Sequence, residues 1–332
     1  MLNKKRLIMK LPDAIRKRWF LFSLAAVCAA TLIDTSGTIA GLGKWFKSKG
    51  GGDIVIILIF LASGLVLKAD QIKRGIQDLK GTALALVIMF MVSPLVAYGS
   101  TLFPLDRGVR IGLFLVSVMP TTLSSGVVMT LAAGGNMAHA LWITLLANGL
   151  SVFTVPLSLG LLLGIGGEGG PVPIEKGKMM VQIALLVLVP LFIGLMTKPK
   201  SSVLTSFLQK GVPIFNQCLI LSMVWMGLSE ARDTVLSSGA QILIVVVLAF
   251  CFHATLLAAG FLAIRLFRIP RGRMESILFM GGEKTLPLAV LLQVKLFPQY
   301  GMALVFCVFH HFIHLMMDGY LMGRLGETRV RS

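Results

Sequence analysis

The chain has 332 residues, 56% of them hydrophobic and 14% charged, with a mean hydropathy of +0.88. A chain this apolar and this poor in charge does not suit water on all sides, and it reads as a polytopic membrane protein. Its net charge of +17 does not mark a nucleic-acid binder, because the Lys and Arg residues lie in short segments between apolar runs, the pattern that encodes membrane topology.

The N-terminal stretch NKKRLIMKLPDAIRKRW leads into FLFSLAAVCAATLI, the layout of a basic and then an apolar region in a signal peptide. We read it as a retained first helix, since Val27 before Cys28 fits a lipoprotein cleavage site badly and every later span is also membrane-embedded. Stretches long enough to cross a core of about 30 Å are predicted at about 19–34, 53–68, 81–103, 108–133, 136–164, 178–197, 215–230, 240–267, 274–297 and 301–323. The cysteines Cys28, Cys218, Cys251 and Cys307 fall in or beside these stretches without paired spacing, so neither a disulfide framework nor a zinc site is implied. Between the fifth and sixth spans, GIGGEGGPVPIEKGK at 164–178 reads as a flexible connector and lacks the lysine pattern of a phosphate loop.

Of the 31 Lys and Arg residues, 21 fall in alternate connections counted from the N-terminus and 9 in the intervening ones. The basic side faces the cytoplasm, so both termini are expected there, in a bacterial inner membrane. Ten spans divide into two halves of five, and an odd number inserts the second half upside down relative to the first. We therefore expect one five-helix repeat over residues 1–164, a linker over 165–177 and an inverted repeat over 178–332.

The fourth span contains VMPTTLSSGVVMTLAAGGN and the ninth FMGGEKTLPLAVLLQ, each a Gly, Pro and polar interruption of an apolar helix. Corresponding interrupted spans in two halves point to a transporter's binding site. Pro120, Gly126, Gly281, Gly282 and Pro287 weaken the helices, and the freed backbone groups survive at that depth only when protein, water or ligand satisfies them. Hydroxyls of Thr121, Thr122, Ser124, Ser125 and Thr130 surround the first break; Glu283, Lys284 and Thr285 stand at the second. Small polar residues also serve as plain glue between helices, a reading that suits Ser124 as well as ligand binding does. It suits Glu283 and Lys284 poorly, since each charge costs roughly 2.5–3.5 kcal/mol to insert.

These stretches, together with FLASGLVLK in the second span, resemble the bile acid:sodium symporter (BASS) family, and more closely its SBF-like branch, over nearly the whole chain. The resemblance implies ten helices in inverted repeats, a panel domain of spans 1, 2, 6 and 7, and a core domain in which broken spans 4 and 9 cross. It also implies secondary transport of organic anions, usually driven by sodium. On this resemblance the family's serine before the crossing falls at Ser125, and its usual asparagine is replaced by Gly126. The sodium-binding hydroxyls of span 5 fall near Ala140 and Thr144, its Gln-Asn pair at Glu283 and Lys284, and its acidic residue one turn earlier at Phe279.

From the residues we expect the substrate at Thr121, Thr122, Ser124, Ser125, Asn216, Gln217, Glu283, Lys284 and Thr285. Asn216 and Gln217 are included because they open span 7, where the panel would face the crossing. Ion coupling is expected at Ser125, Thr144, Asn148, Glu283 and Lys284, with sodium the one bound cofactor considered, since hard cations take oxygen ligands. Equally, the Lys284 ammonium can occupy the place of a bound cation, neutralise Glu283 and, by releasing its proton, couple transport to the proton gradient, so the coupling ion stays open between sodium and protons. The expected partners are a small organic anion and the lipid bilayer, with no enzymatic activity.

In the tenth span, His310, His314 and Asp318 share one helical face at i, i+4 and i+8. Histidines bonded to neighbouring helices, or lying near the cytoplasmic interface, explain them better than a metal site, and no HExxH motif supports an intramembrane metalloenzyme. His139 and His253, single imidazoles in apolar spans, are read as packing residues. A channel, or a regulator of ion homeostasis that moves no organic solute, is the runner-up.

Overall fold

A computed structural model describes residues 19–67, 75–165, 175–197, 199, 202–237 and 239–330, and all regular structure among these is helical. The basic N-terminal segment and most of the expected linker lie outside the described residues. Helices α1 (Trp19–Ile33) and α2 (Thr38–Ser48) meet at a bend of 107°. Asp34 shapes that bend, its carboxylate accepting the Ile39 N–H at 2.8 Å, while Gly37 takes a φ of +70°. Helix α3 (Gly51–Val66) precedes α4 (Leu79–Leu102), which Asp78 caps by accepting from Gly81 N–H at 2.9 Å. Asp106 likewise caps α5 (Arg107–Val118), and after a break the chain resumes as α6 (Ser125–Ala132). The second half comprises α8 (Lys176–Met196), α9 (Ser202–Ser237), α10 (Gly239–Leu266), α11 (Met274–Gly282), α12 (Leu286–Leu296) and α13 (Gly301–Val330); the long α7 (Met137–Ile165) closes the first.

Among the described residues seven segments are long and apolar enough to cross a membrane: α4, α7, α8, α9, α10, the stretch Met274–Leu296 and α13. The bent α1–α2 pair makes up to eight. The two remaining predicted spans are helical too, but α3 has only 16 residues, and 108–133 is divided into pieces of 12 and 8 residues. The seventh predicted span is the middle of a 36-residue helix. Lys210, Gly211 and Pro213 interrupt its apolar pattern without stopping the helix, so Asn216 and Gln217 lie inside it and do not open it. Side chains such as Phe153, Leu157 and Leu161 on α7, and Leu243, Val247 and Phe250 on α10, are exposed at helical spacing, the arrangement that lipid requires.

The helices pack in two groups. In one, α9 lies against α1, α2 and α3, and α3 against the end of α8; in the other, α13 packs on α5 and α10, and α11 on α4, α6 and α10. Small residues set the closest approaches. A Cβ at Gly194 would stand 2.1 Å from Leu61 O, and one at Gly64 2.3 Å from Leu191 O, so α3 and α8 touch backbone to backbone. The stretch Met274–Leu296 is the centre of the molecule, 94% of its apolar window being buried within the protein.

At one end of that stretch Arg273 forms an ion pair with Asp78, and His139 accepts or donates to Thr82 at 3.1 Å and Ser276 at 2.7 Å, tying α4, α7 and α11 together. Partial burial raises the Asp78 carboxyl, but the hydrogen bonds from Arg273 and Gly81 outweigh it and hold the group below the usual carboxylate range. His139 therefore has the packing role expected of it.

Candidate functional site

Helix α5 stops at Val118 because Met119 turns extended (φ −69°, ψ 145°) ahead of Pro120, which disfavours a helical residue before it. Helix α11 stops at Gly282 with Glu283 likewise extended (φ −67°, ψ 145°), and α12 restarts with Pro287 in its first turn. The two interruptions are joined directly: Thr285 N–H donates to Pro120 O at 2.9 Å. Backbone groups freed by one break thus satisfy those of the other.

In an extended segment successive side chains leave on opposite faces, so Glu283 and Lys284 diverge. Glu283 is fully buried, and its Oε2 accepts from the Thr122 hydroxyl and from Ser125 Oγ at 2.8 Å; Ser125 and Thr122 hydroxyls lie 2.7 Å apart. Lys284 Nζ donates instead to three carbonyls, Met89 O at 2.8 Å, Ser117 O at 3.0 Å and Met119 O at 3.1 Å. The expected neutralisation of Glu283 by Lys284 is therefore corrected: among the described residues the ion pairs do not include Lys284.

The sequence explains why those carbonyls need a donor. Residues Ile88–Val92 form a π turn in α4, in which Ser93 N–H reaches back to Ile88 O. The next residue is Pro94, which has no N–H, so Met89 O is left without its partner. Ser117 O and Met119 O lie at the broken end of α5, where the last carbonyls lack intrahelical partners and the helix dipole is negative; Ser117 O also accepts from Ser93 Oγ at 2.7 Å. The ammonium caps both defects at once.

A cavity of about 60 Å³ lies between the two packing groups. Thr122, Ser124, Ser125 and Thr285 line it from the breaks, Asn216, Gln217 and Ile220 from α9, and Phe20, Ile59 and His311 from α1, α3 and α13. Six of the nine expected substrate residues thus share one wall space; Thr121, Glu283 and Lys284 are buried behind it. Asn216 Nδ2 donates to Ser63 Oγ at 2.8 Å, holding α9 to α3. Of the expected coupling residues, Thr144 donates to Ala140 O at 2.8 Å, and Asn148 Nδ2 donates to Thr144 O at 2.9 Å and reaches Thr121 O at 3.5 Å. Asn148 Oδ1 and Thr121 Oγ1 are buried with no hydrogen-bond partner among the described residues.

A buried polar group on α13 reaches the same break. His314 and Asp318, expected to bond neighbouring helices, each offer a donor atom within 4.8 Å of one from Glu283. His253 Nε2 lies 2.9 Å from Asp318 Oδ1, and His311 Nδ1 lies 2.8 Å from His314 Nε2. His310 lies beside them, its ring tilted by 31° to that of His314 with the centres 5.4 Å apart. Sequence reasoning left Glu283 out of this group and read His253 as isolated. Nothing in the spacing of α10, α11 and α13 relates the three; only the charges themselves were a signal.

Comparison with known proteins gives a consistent result. The model of the SBF-like CPA transporter family matches residues 18–327. The chain is 28% identical over 295 residues to the probable sodium/metabolite cotransporter BASS4, chloroplastic, of Arabidopsis thaliana, an alignment that spans 82% of this chain and 67% of that one. It is 28% identical over 225 residues to sodium/bile acid cotransporter 7 of Xenopus tropicalis, covering 65% and 63% of the two chains. It is also 29% identical over 197 residues to the solute carrier RCH1 of Saccharomyces cerevisiae, covering 55% and 45%.

Proposed function

Because this chain belongs to the SBF-like CPA transporter family, we propose that it is a secondary active transporter that carries a small organic anion together with sodium. The observation that carries this reading is the pair of helix starts at the cavity. Helices α6 and α12 begin at Ser125 and Leu286, and both residues line it, so two positive helix ends face one space. An anion is the solute such a space prefers.

A cavity of about 60 Å³ has room for a few water molecules and none for an organic solute. Binding then requires the two packing groups to separate, which supports alternating access: a panel of α1–α3, α8 and α9 moving against a core of the remaining helices. The inverted five-helix repeats fit the same picture. Thr122 and Glu283, hydrogen-bonded to each other across the two breaks, are 161 residues apart, close to half the chain. The cytoplasmic placement of both termini rests on the basic asymmetry of the connections.

Sodium is the coupling ion we favour, since relatives bear the name of sodium cotransporters and two unpartnered oxygens, Asn148 Oδ1 and Thr121 Oγ1, stand buried beside the first break. Purified protein in liposomes provides the test, with uptake of labelled organic carboxylates and sulfonates, a bile acid among them, measured under inward sodium, potassium or proton gradients. Saturable uptake that follows sodium is the expected result. Uptake that follows pH alone would replace sodium by protons, and ion conductance without solute exchange would replace the transporter by a channel.

A further inference from the structure

The polar group behind the cavity has a geometry that anion transport does not need. Glu283 comes from the break between α11 and α12, and His314 and Asp318 from one face of α13. All three are completely buried, and one donor atom of each lies within 4.8 Å of the others. Each also has one atom tied by a hydrogen bond and one left over. Glu283 Oε2 takes Thr122 and Ser125; Asp318 Oδ1 takes His253 at 2.9 Å; His314 Nε2 meets His311 Nδ1 at 2.8 Å. The atoms left over are Glu283 Oε1, Asp318 Oδ2 and His314 Nδ1, all buried and without a hydrogen-bond partner among the described residues.

Two carboxylates this close together, out of water, repel one another at a cost of several kcal/mol unless one of them holds a proton or a cation stands between them. The neighbouring ammonium is occupied elsewhere, with Lys284 spending its donors on three carbonyls. We propose that Glu283, His314 and Asp318 bind a divalent first-row transition-metal ion of the zinc or manganese class.

The donor set selects that class. Two carboxylate oxygens and one imidazole nitrogen suit Zn²⁺, Mn²⁺, Fe²⁺ or Co²⁺, whereas Mg²⁺ and Ca²⁺ prefer oxygen alone and soft ions prefer thiolates. Ligand atoms around such an ion stand roughly 3–3.5 Å apart, so the three side chains, whose atoms lie within 4.8 Å of one another, have to draw together on binding. The hydrogen bonds already present are those a metal site uses to hold its ligands. When His314 Nε2–H donates to His311 Nδ1, the His314 Nδ1 lone pair is left facing Asp318 Oδ2, 3.5 Å away. His253 fixes the Asp318 carboxylate in the same way. A bound ion would join the second break to α13 and, through His253, to α10. The site stands on this geometry and does not depend on what the protein transports.

The test uses the full chain purified in detergent, stripped with a chelator, dialysed against zinc or manganese chloride, passed over a desalting column and assayed for metal by mass spectrometry. About one equivalent per chain should be retained, and thermal stability should rise on metal addition. His314→Gln and Asp318→Asn should each weaken retention by at least about 10-fold. His139→Gln, outside the group, should retain as much as the wild type. Should the cluster variants fail to fold, cobalt added to the stripped wild type serves instead: visible absorption bands of coordinated Co²⁺ support the site. Retention well below one equivalent in the wild type, unchanged retention in folded His314→Gln, or cobalt without such bands would overturn the proposal.

Discussion

Glu283 and Lys284 are neighbours in the chain, yet they hold different parts of the molecule. Lys284 serves three backbone acceptors, two at the end of α5 and one in the π turn of α4. Removing its ammonium in Lys284→Met takes a donor from Met89 O and Met119 O, while Ser117 O keeps the Ser93 hydroxyl, and a loss of about 1–3 kcal/mol of stability is expected for the unmet desolvation. Glu283→Gln keeps an oxygen that accepts from Thr122 and Ser125, so in metal-free protein its effect should be smaller. With no ion pair between them, the two changes should add within about 0.5 kcal/mol in a double-mutant cycle read by denaturant unfolding. A coupling above about 1 kcal/mol would restore the pair that the adjacent charges suggest. Gly126 belongs to the same account. A Cβ there would meet Met280 Sδ at 2.8 Å and Glu283 Oε2 at 3.0 Å, so the carboxylate fills space that a side chain at 126 would need.

Among the elements, α3 and α8 show how glycine decides a packing distance. Gly64 and Gly194 face each other across a contact in which each hypothetical Cβ overlaps a main-chain carbonyl, and a carbonyl in a helix cannot move aside alone. Gly194→Val should therefore push the helices apart and cost about 1–3 kcal/mol, seen as a lower melting temperature in detergent. Gly149→Ala on α7, where a Cβ has open space, should be neutral or slightly stabilising. Equal losses in both variants would mean that close approach is not what Gly194 provides. The proline two residues beyond each π turn, Pro94 in α4 and Pro190 in α8, gives a second rule at this scale. Proline supplies no N–H to the turn before it, and the helix responds by widening there.

The orientation proposed for the whole molecule rests on its basic residues, which favour one side by 21 to 9. Lys49 and Lys210 are both exposed and belong to opposite sides by that count. In a background without native cysteines, Lys210→Cys should react with an impermeant maleimide only from the cytoplasmic side, and Lys49→Cys only from outside. Reaction of both from one side would break the alternation on which the inverted repeat rests.

Composition alone was enough to put this chain in a membrane, and clustered Gly, Pro and polar residues marked the two central breaks, whereas the single prolines Pro156 and Pro213 lie inside helices. The positions of Pro120 and Pro287, the hydroxyls of Thr122 and Ser125, and the polar residues Asn216 and Gln217 were legible too, since few polar residues interrupt these helices without cause. Their common wall was not. The short helices α5 and α6 and the long α9 also escaped an apolar count, which measures hydropathy and not hydrogen bonding. Pairing Glu283 with Lys284 followed sequence adjacency, whereas an extended backbone sends neighbouring side chains to opposite faces. Which partners they then meet, Thr122 at a separation of 161 residues, Met89 at 195, and His314 and Asp318 on another helix, depends on how whole helices pack. Only the tertiary structure decides that, because contacts between distant segments are fixed by the shape of the surfaces between them and not by any period in the chain.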